Sequence, residues 1–244
     1  MTHILASVKN VKEAQAVANT GVGIIDLKDP SKGALGALSY ERINEIVTYI
    51  NHKKTTSSTI GDLPNNAELI YQHINKIAKT GVDFIKIGIF SNEYITSLDL
   101  LSSIAKKDVK LVGVLFADKP LDYMMWLKSL SNAGFSGVML DTSDKSNGSL
   151  CSHINMDSLE KFIHEARKNS LLSGVAGSLT KQSALKIKKL NPDYMGFRTA
   201  LCSKNMRNNE IDINKVNELV EICRAAKTLN QSIEQNRKHS HLAI

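Results

Sequence analysis

The sequence predicts an α/β protein of one domain, a (β/α)8 TIM barrel, on three observations. Its 244 residues match the ~250 residues that this fold typically takes. Short apolar runs alternate with amphipathic segments along the chain, eight of each. No change of composition marks a second domain. Such alternation predicts a parallel sheet with helical crossovers, and eight units of this length predict closure into a barrel.

Each element follows from its own pattern. The strands are expected at residues 4–8, 23–28, 57–61, 84–89, 111–116, 137–141, 172–176 and 194–198. The helices are expected at residues 11–18, 40–52, 66–79, 92–106, 121–132, 156–169, 181–190 and 213–228, where apolar residues recur at helical spacing. Gly21, Gly81 and Gly134 each follow a predicted helix, where glycine permits a left-handed cap.

Composition excludes several classes of function. Aromatic residues make up 5% of the chain, and no basic stretch interleaved with aromatics occurs, so we expect no nucleic-acid partner. The formal net charge of +7 fits either solubility with a basic C-terminal segment or an anionic substrate.

The barrel is expected to span residues 1–230, followed by a polar tail at 231–244, and the protein is expected to be a homo-oligomer.

Cellular location and cofactor use are also bounded by the sequence. The amino terminus has no basic region followed by a long apolar core, and no apolar run approaches the ~18 residues of a membrane span. Three widely spaced cysteines predict a reducing compartment without a disulfide framework. Cys151-Ser152-His153 lacks the further ligands that a metal site needs. We therefore expect a cytoplasmic protein that contacts no membrane and uses no metal or cofactor.

Four predicted strands carry charge near their carboxyl ends, where charge is costly unless it is paired or used. Asp26 and Lys28 lie two residues apart on strand 2 and so share a face. Lys86 lies on strand 4, Asp141 on strand 6 and Arg198 on strand 8. Alternate strands contribute to one interior layer of a barrel, and catalytic residues come from the carboxyl ends of several strands. These side chains are therefore predicted to meet in one pocket.

Paired lysines in such a pocket suit imine chemistry. Desolvation and like charge both lower a lysine pKa, and the neutral amine attacks carbonyl carbon to form a Schiff base. Asp26 and Asp141 can orient amines and move protons, and Lys145 lies on the loop over the same mouth. Simpler roles stay open: strand-end lysines that reach solvent, an Asp26–Lys28 salt bridge, a loop-capping Asp141 and a solvated Lys145.

Two short segments suit a phosphate group. Gly177 and Ser178 follow strand 7 and open a helix, and Gly196 and Arg198 end strand 8. Loops after strands 7 and 8 are the usual phosphate site of these barrels, and an arginine fork suits an anion. An ordinary helix cap explains Gly-Ser equally simply. The glycine-rich loop at 31–37 has the composition of a lid, and Asp62 is either a polar wall or a turn residue.

Taken in order and together, several segments resemble the (5-formylfuran-3-yl)methyl phosphate synthase family, whose members make the furan of methanofuran. The matching segments are residues 24–30, 33–37, 59–64, 83–88, 139–142 with Lys145, and 176–179. Departures from the family pattern are Asp29, where some relatives have asparagine, the polar loop at 143–149, and a longer C-terminal tail.

The resemblance implies a (β/α)8 lyase of one-carbon metabolism. The family condenses two molecules of glyceraldehyde 3-phosphate and loses phosphate and water. By matching motif, Lys28 would form the Schiff base and Lys86 would abstract the proton, while Asp26, Asp141 and Lys145 match polar residues of the same active site. The substrate would thus be a small sugar phosphate.

Two other functions are compatible with the sequence. One is a Schiff-base aldolase that acts on another sugar phosphate. The other is a catalytically inactive barrel that binds a sugar phosphate as a regulatory module.

Overall fold

The computed structural model describes residues 2–105 and 109–224. Its strands are all parallel, each pairs with the next in sequence, and the last pairs with the first to close a barrel. The strands are β1 (His3–Val8), β2 (Ile24–Leu27), β3 (Thr55–Thr59), β4 (Phe84–Ile89), β5 (Lys110–Phe116), β6 (Gly137–Asp141), β7 (Leu172–Val175) and β8 (Tyr194–Phe197). This confirms the predicted fold class.

Helices surround the barrel. They are α1 (Val11–Ala18), α2 (Tyr40–Ile50), α3 (Ala67–Ala78), α4 (Leu98–Ala105), α5 (Tyr123–Asn132), α6 (Leu150–His153), α7 (Met156–Lys168), α8 (Lys181–Ile187) and α9 (Ile213–Arg224). Single turns of 3₁₀ helix lie at Lys188–Leu190, Thr199–Leu201 and Ser203–Asn205, and a longer one at Asn92–Ser97. The sequence pattern missed α6 and the turns after β8. The predicted boundary at residue 230, the tail at 231–244 and two predicted helix ends, at 106 and 228, lie outside the described residues.

Apolar side chains form two cores. The larger lies between the strands and the helices, where Trp126 of α5 and Phe162 of α7 are fully buried. The smaller fills the barrel interior and includes Leu5, Phe116 and Met139. Burying a side chain of this size contributes about 1.5–3 kcal/mol. The interior core therefore fills most of the barrel, and charged residues occupy the rest of the interior at the carboxyl ends of the even-numbered strands.

Side-chain caps set where most helices begin. An oxygen of the residue before the helix accepts the backbone N–H of its third residue in α1, α2, α3, α5, α7 and α8, and the capping residues are Asn10, Ser39, Asn66, Asp122, Asn155 and Thr180. Each such cap contributes about 0.5–2 kcal/mol. These polar residues explain why the helix starts fall within two residues of the predicted ones.

The glycines that follow helices serve two different purposes. Gly81 and Gly134 have φ angles of 78° and 83° and adopt the predicted left-handed conformation. The same prediction for Gly21 is wrong. A Cβ atom at Gly21 would lie 2.4 Å from Cγ1 of Val220 and 2.5 Å from Nη2 of Arg224. Gly21 is therefore required because α9 packs closely against it.

The glycine-rich loop after β2 is fastened rather than open. The Asp62 carboxylate accepts the backbone N–H groups of Ala34 at 3.0 Å and Leu35 at 2.9 Å. Leu35 is fully buried in the barrel-interior core, and its carbonyl accepts the Thr59 hydroxyl at 3.1 Å. Asp62 thus braces this loop, a role that differs from both the polar wall and the turn residue that the sequence left open for it.

Every helix in the described part of the chain is too short or too polar to cross a lipid bilayer.

Candidate active site

A pocket opens at the carboxyl ends of the strands, above the barrel-interior core. The residues predicted as catalytic or phosphate-binding all line it, namely Asp26, Lys28, Lys86, Asp141, Lys145, Gly177, Ser178, Gly196 and Arg198. The charged side chains among them come from the even-numbered strands, from the residues directly after those strands and, for Lys145, from the loop after β6. Barrel geometry therefore brings together residues that are far apart in the sequence.

Asp26 and Lys86 form a buried ion pair at the base of the pocket. Lys86 Nζ lies 2.5 Å from Asp26 Oδ1, and both side chains are almost fully buried. The hydroxyls of Ser7 and Ser57, on the strands that flank β2, donate to the same carboxylate at 2.9 and 2.7 Å. Burial disfavours the charged carboxylate, but the cations of Lys86 and Lys28 together with these hydrogen bonds hold the pKa of Asp26 below its usual value.

Lys28 differs from Lys86 although both face the same space. Lys28 is buried, yet it forms no ion pair with any described residue, so the salt bridge to Asp26 considered from the sequence belongs to Lys86 instead. Burial lowers the pKa of Lys28 to about 8, and the positive charges of Lys145 and Lys86 add to the effect, while the carboxylates of Asp141 and Asp26 oppose it. Lys28 is therefore an amine that loses its proton near pH 8.

Asp141 and Lys145 form a second ion pair across the pocket. Lys145 Nζ donates to Asp141 Oδ1, to the Thr142 carbonyl and, at 3.2 Å, to the Thr142 hydroxyl. The same Asp141 oxygen accepts the Thr142 backbone N–H at 2.7 Å. Burial opposes ionisation of Asp141, but Lys145, Lys28 and these hydrogen bonds keep its pKa below the usual value. Asp141 thus stays anionic and fixes the position of Lys145.

Arg198 lines the pocket, but its guanidinium is fully occupied by the protein. It donates two hydrogen bonds to the Glu13 carboxylate, at 2.5 and 3.0 Å, and one to the Ser7 carbonyl at 3.0 Å. Its other two donors reach the carbonyls of Arg207 at 2.7 Å and Asn209 at 2.9 Å. A guanidinium has five N–H donors, so none is left for a phosphate. The hydrogen bonds of Arg198 therefore do not support its predicted phosphate contact. They hold the segment after β8 in place instead.

The loop after β7 presents backbone rather than a helix end to the pocket. Gly177 and Ser178 have φ angles of 107° and 49°, and a Cβ atom at Gly177 would lie 3.1 Å from Cβ of Leu150. Helix α8 begins only at Lys181, after the cap at Thr180. The helix start was predicted at Lys181, so Gly177 and Ser178 precede the helix and do not form its first turn. They line the pocket as part of the loop between β7 and α8.

Sequence reasoning missed three residues that shape the site. Ser7 was hidden in a strand chosen only for its apolar neighbours, although a hydroxyl in a buried strand was a usable signal. Glu13 looks like an ordinary first-turn acid of α1. Arg207 lines the pocket from an irregular segment that carries no periodic pattern.

No cluster of three or more His, Cys, Asp and Glu side chains with the geometry of a metal site occurs within residues 2–105 and 109–224.

Comparison with known proteins gives both a family and a fold. The sequence model described as 4-HFC-P synthase matches residues 4–220. The (5-formylfuran-3-yl)methyl phosphate synthase of Methanococcus aeolicus is 32% identical over 232 residues, which cover 90% of this chain and 99% of that protein. A Methylorubrum extorquens relative is 36% identical over 91% of this chain and 92% of its own.

Among solved structures, phosphoribosyl anthranilate isomerase from Thermus thermophilus aligns with a TM-score of 0.65 at 8% identity, covering 93% of this chain and all of that one. The 3-hexulose-6-phosphate synthase of Salmonella typhimurium aligns with a TM-score of 0.63 at 14% identity, over 91% of this chain. At such low identity these two likenesses show the barrel fold alone.

Proposed function

The chain belongs to the 4-HFC-P synthase family, and on that premise we propose that it condenses two molecules of glyceraldehyde 3-phosphate through a Schiff base on Lys28. The product is (5-formylfuran-3-yl)methyl phosphate, the compound named in its relatives. Two triose phosphates become one furan aldehyde with loss of one phosphate and two water molecules. The reaction needs no oxidant or reductant, so side chains that bind, attack and move protons are sufficient.

The observation that carries this proposal is the contrast between the two buried lysines. Lys86 is paired with Asp26, whereas Lys28 has no ion-pair partner among the described residues and a pKa of about 8. About one Lys28 in ten is then a neutral amine at pH 7, against about one in three thousand for an ordinary lysine. Lys28 is therefore the better nucleophile toward an aldehyde.

The first steps follow from this assignment. The Lys28 amine adds to the aldehyde carbon of one triose phosphate, and loss of water gives a protonated imine. The positive nitrogen withdraws electrons and acidifies the adjacent C–H, so that a base converts the imine to an enamine. The enamine expels the phosphate from its C3, and this carbon then bonds to C2 of the second triose phosphate in its ketone form. Hydrolysis of the imine and loss of two water molecules close the furan ring.

Lys86 is suited to remove that proton. Lys86 lines the same pocket as Lys28, so its amine lies on the side of the pocket where an imine on Lys28 would form. Once Lys86 has accepted the proton, the Asp26 carboxylate at 2.5 Å stabilises the resulting ammonium. Ser7 and Ser57 hold Asp26 in place for this role.

The assay that tests the function uses purified protein and glyceraldehyde 3-phosphate. We expect a furan-type ultraviolet absorbance to appear together with inorganic phosphate in a ratio of one to one, as the atom balance requires. A reversible aldol product without phosphate release would instead identify a Schiff-base aldolase. Absence of both products and of any borohydride-trapped adduct on Lys28 would favour a binding module.

The pH dependence of imine formation should report the Lys28 amine. Because its pKa is about 8, the initial rate of borohydride trapping should rise about tenfold per pH unit below neutrality and level off above about pH 8. Lys145→Met removes a like charge and frees the Asp141 carboxylate, and both changes raise the Lys28 pKa. The rising limb should therefore move to higher pH in this variant.

Lys119→Met is the matched control for that profile. Lys119 is an exposed lysine just after β5, at the same end of the barrel, and does not line the pocket. The electrostatic link between Lys145 and Lys28 would be contradicted if the rising part of the pH profile moved equally in both variants. It would also be contradicted if that part of the profile did not move in Lys145→Met.

A further inference from the structure

The guanidinium of Arg207 lies at the pocket wall and has no ion-pair partner among the described residues. It lines the same pocket as Lys28, Asp141 and Lys145. Its Nε atom is buried and finds no acceptor in the described ranges of the chain. Buried donors in native proteins are nearly always paired, and each exception calls for an explanation. A ligand that brings its own acceptor oxygen is the explanation that the location favours.

The charge of Arg207 is also not neutralised by contact. Within residues 2–105 and 109–224 it is in no ion pair, although Asp141 attracts it from a greater distance and Arg198 repels it. Burial lowers the pKa of Arg207, since the protein partly withdraws its guanidinium from water without supplying a carboxylate in contact. An anionic group of a bound ligand could therefore neutralise the Arg207 guanidinium.

The backbone of Arg207 is held firmly in position. The Arg198 guanidinium binds the carbonyls of Arg207 and Asn209 and is itself fixed by Glu13. The Ser203 backbone N–H donates to the Glu210 carbonyl at 3.0 Å, which ties the two ends of this segment together. Such fixation reduces the ordering cost of binding a ligand. The two arginines therefore have separate tasks, one inside the protein and one at the pocket.

We propose that Arg207 binds a phosphate group of the sugar-phosphate substrate, in the place that the sequence suggested for Arg198. The inference rests on the proposed function and deepens it by naming the residue that recognises the anion. A planar guanidinium binds phosphate oxygens through two parallel hydrogen bonds. Arg207 follows β8 and shares the pocket with Gly177 and Ser178 after β7, and the loops after these two strands form the common phosphate site of barrel enzymes.

Borohydride trapping with two aldehydes isolates the phosphate contact. Lys28 is trapped with glyceraldehyde 3-phosphate and, separately, with glyceraldehyde, in the wild type, Arg207→Met and Arg207→Lys. For Arg207→Met, the concentration of glyceraldehyde 3-phosphate that gives half-maximal trapping should rise about 10–100-fold, the range expected for a lost charge-assisted hydrogen bond. The value for glyceraldehyde should not change. Arg207→Lys keeps the positive charge but lacks the planar guanidinium. Its concentration of glyceraldehyde 3-phosphate for half-maximal trapping should therefore lie between those of the wild type and Arg207→Met.

Lys204→Met is the matched control, since Lys204 is an exposed cation on the same segment and does not line the pocket. Unchanged trapping by glyceraldehyde 3-phosphate in both Arg207 variants would overturn the inference. So would an equal loss with both aldehydes, because Arg207 would then serve Lys28 rather than the phosphate.

Inorganic phosphate separates this inference from the proposed function. If the wild type formed no adduct with either aldehyde, the Schiff-base function would fail. Calorimetric titration with inorganic phosphate would still test Arg207. Binding at least tenfold weaker in Arg207→Met than in the wild type would support the anion site, and equal binding would overturn it.

Discussion

Replacing Lys28 with methionine is expected to remove the borohydride-trapped adduct completely and to lower turnover by about a thousandfold or more. The pocket offers no equivalent nucleophile, because Lys86 and Lys145 are both held in ion pairs. The measurement combines the furan assay with the intact mass of the protein after reduction. Turnover close to the wild type would remove Lys28 from the mechanism.

The same substitution is expected to stabilise the fold. Burial lowers the pKa of Lys28 from 10.5 to about 8, so keeping it protonated in the folded state costs free energy. For a lysine with a lowered pKa, this cost is fully present below about pH 8 and disappears above about pH 10.5. Lys28→Met should therefore raise the free energy of unfolding at pH 7 by about 1–3 kcal/mol. The gain should shrink as the pH rises.

Urea unfolding at pH 7 and pH 10 checks the sign of this effect. Lys119→Met, a change of the same charge at an exposed position, should leave the unfolding free energy within about 0.5 kcal/mol of the wild type. A destabilised Lys28→Met would mean that Lys28 is a structural cation, contrary to its assignment as the nucleophile.

The sequence could predict the barrel and the convergence of charge because both follow from local pattern. A charge in an apolar strand, such as Lys86 between Ile85 and Ile87, is visible without any knowledge of its partner. Parallel strands in a closed barrel then bring all such residues to one end. The strand bounds of β4 and β6 were predicted to the residue for the same reason.

What the sequence could not predict depends on long-range contacts. Arg198 looks like a free cation until Glu13, 185 residues away in the chain, is seen to accept two of its hydrogen bonds. Arg207 follows the 3₁₀ turn at Ser203–Asn205 and lies in the segment between Cys202 and Ile211, which are joined by an isolated bridge. The apolar residues of that segment recur at neither helical nor strand spacing, so the sequence does not show which of its side chains face the pocket. The sequence likewise does not show which of Lys28 and Lys86 pairs with Asp26, and the structure places the Asp26 carboxylate beside Lys86.

Replacing Lys86 with methionine is expected to have the opposite effect on stability from the same change at Lys28. The substitution leaves the Asp26 carboxylate buried without its ion-pair partner, and breaking such a pair costs about 3–5 kcal/mol. Turnover should fall by about a hundredfold to ten-thousandfold, the usual contribution of a positioned base. Borohydride should still trap an adduct on Lys28, because imine formation precedes the proton transfer assigned to Lys86.

The pH dependence of this loss has a definite sign. Lys86 helps to hold the pKa of Asp26 below its usual value, so the pair stabilises the fold above the pKa that Asp26 has when unfolded, and this is lost as the pH falls through the lower folded value. The difference in unfolding free energy between the wild type and Lys86→Met should thus be largest near neutral pH and should become smaller as the pH falls and Asp26 is protonated. A difference that is constant with pH would show that lost packing, not lost charge, causes it.

The double variant Asp26→Asn/Lys86→Met separates folding from catalysis. Removing both charges leaves no unpaired ion, so most of the lost stability should return, as found generally when a buried pair is replaced as a unit. Turnover should stay low because the proton acceptor is still missing. Recovery of turnover together with stability would mean that Lys86 serves only to neutralise Asp26, and the proton would then have to leave through the other ion pair, Asp141 and Lys145.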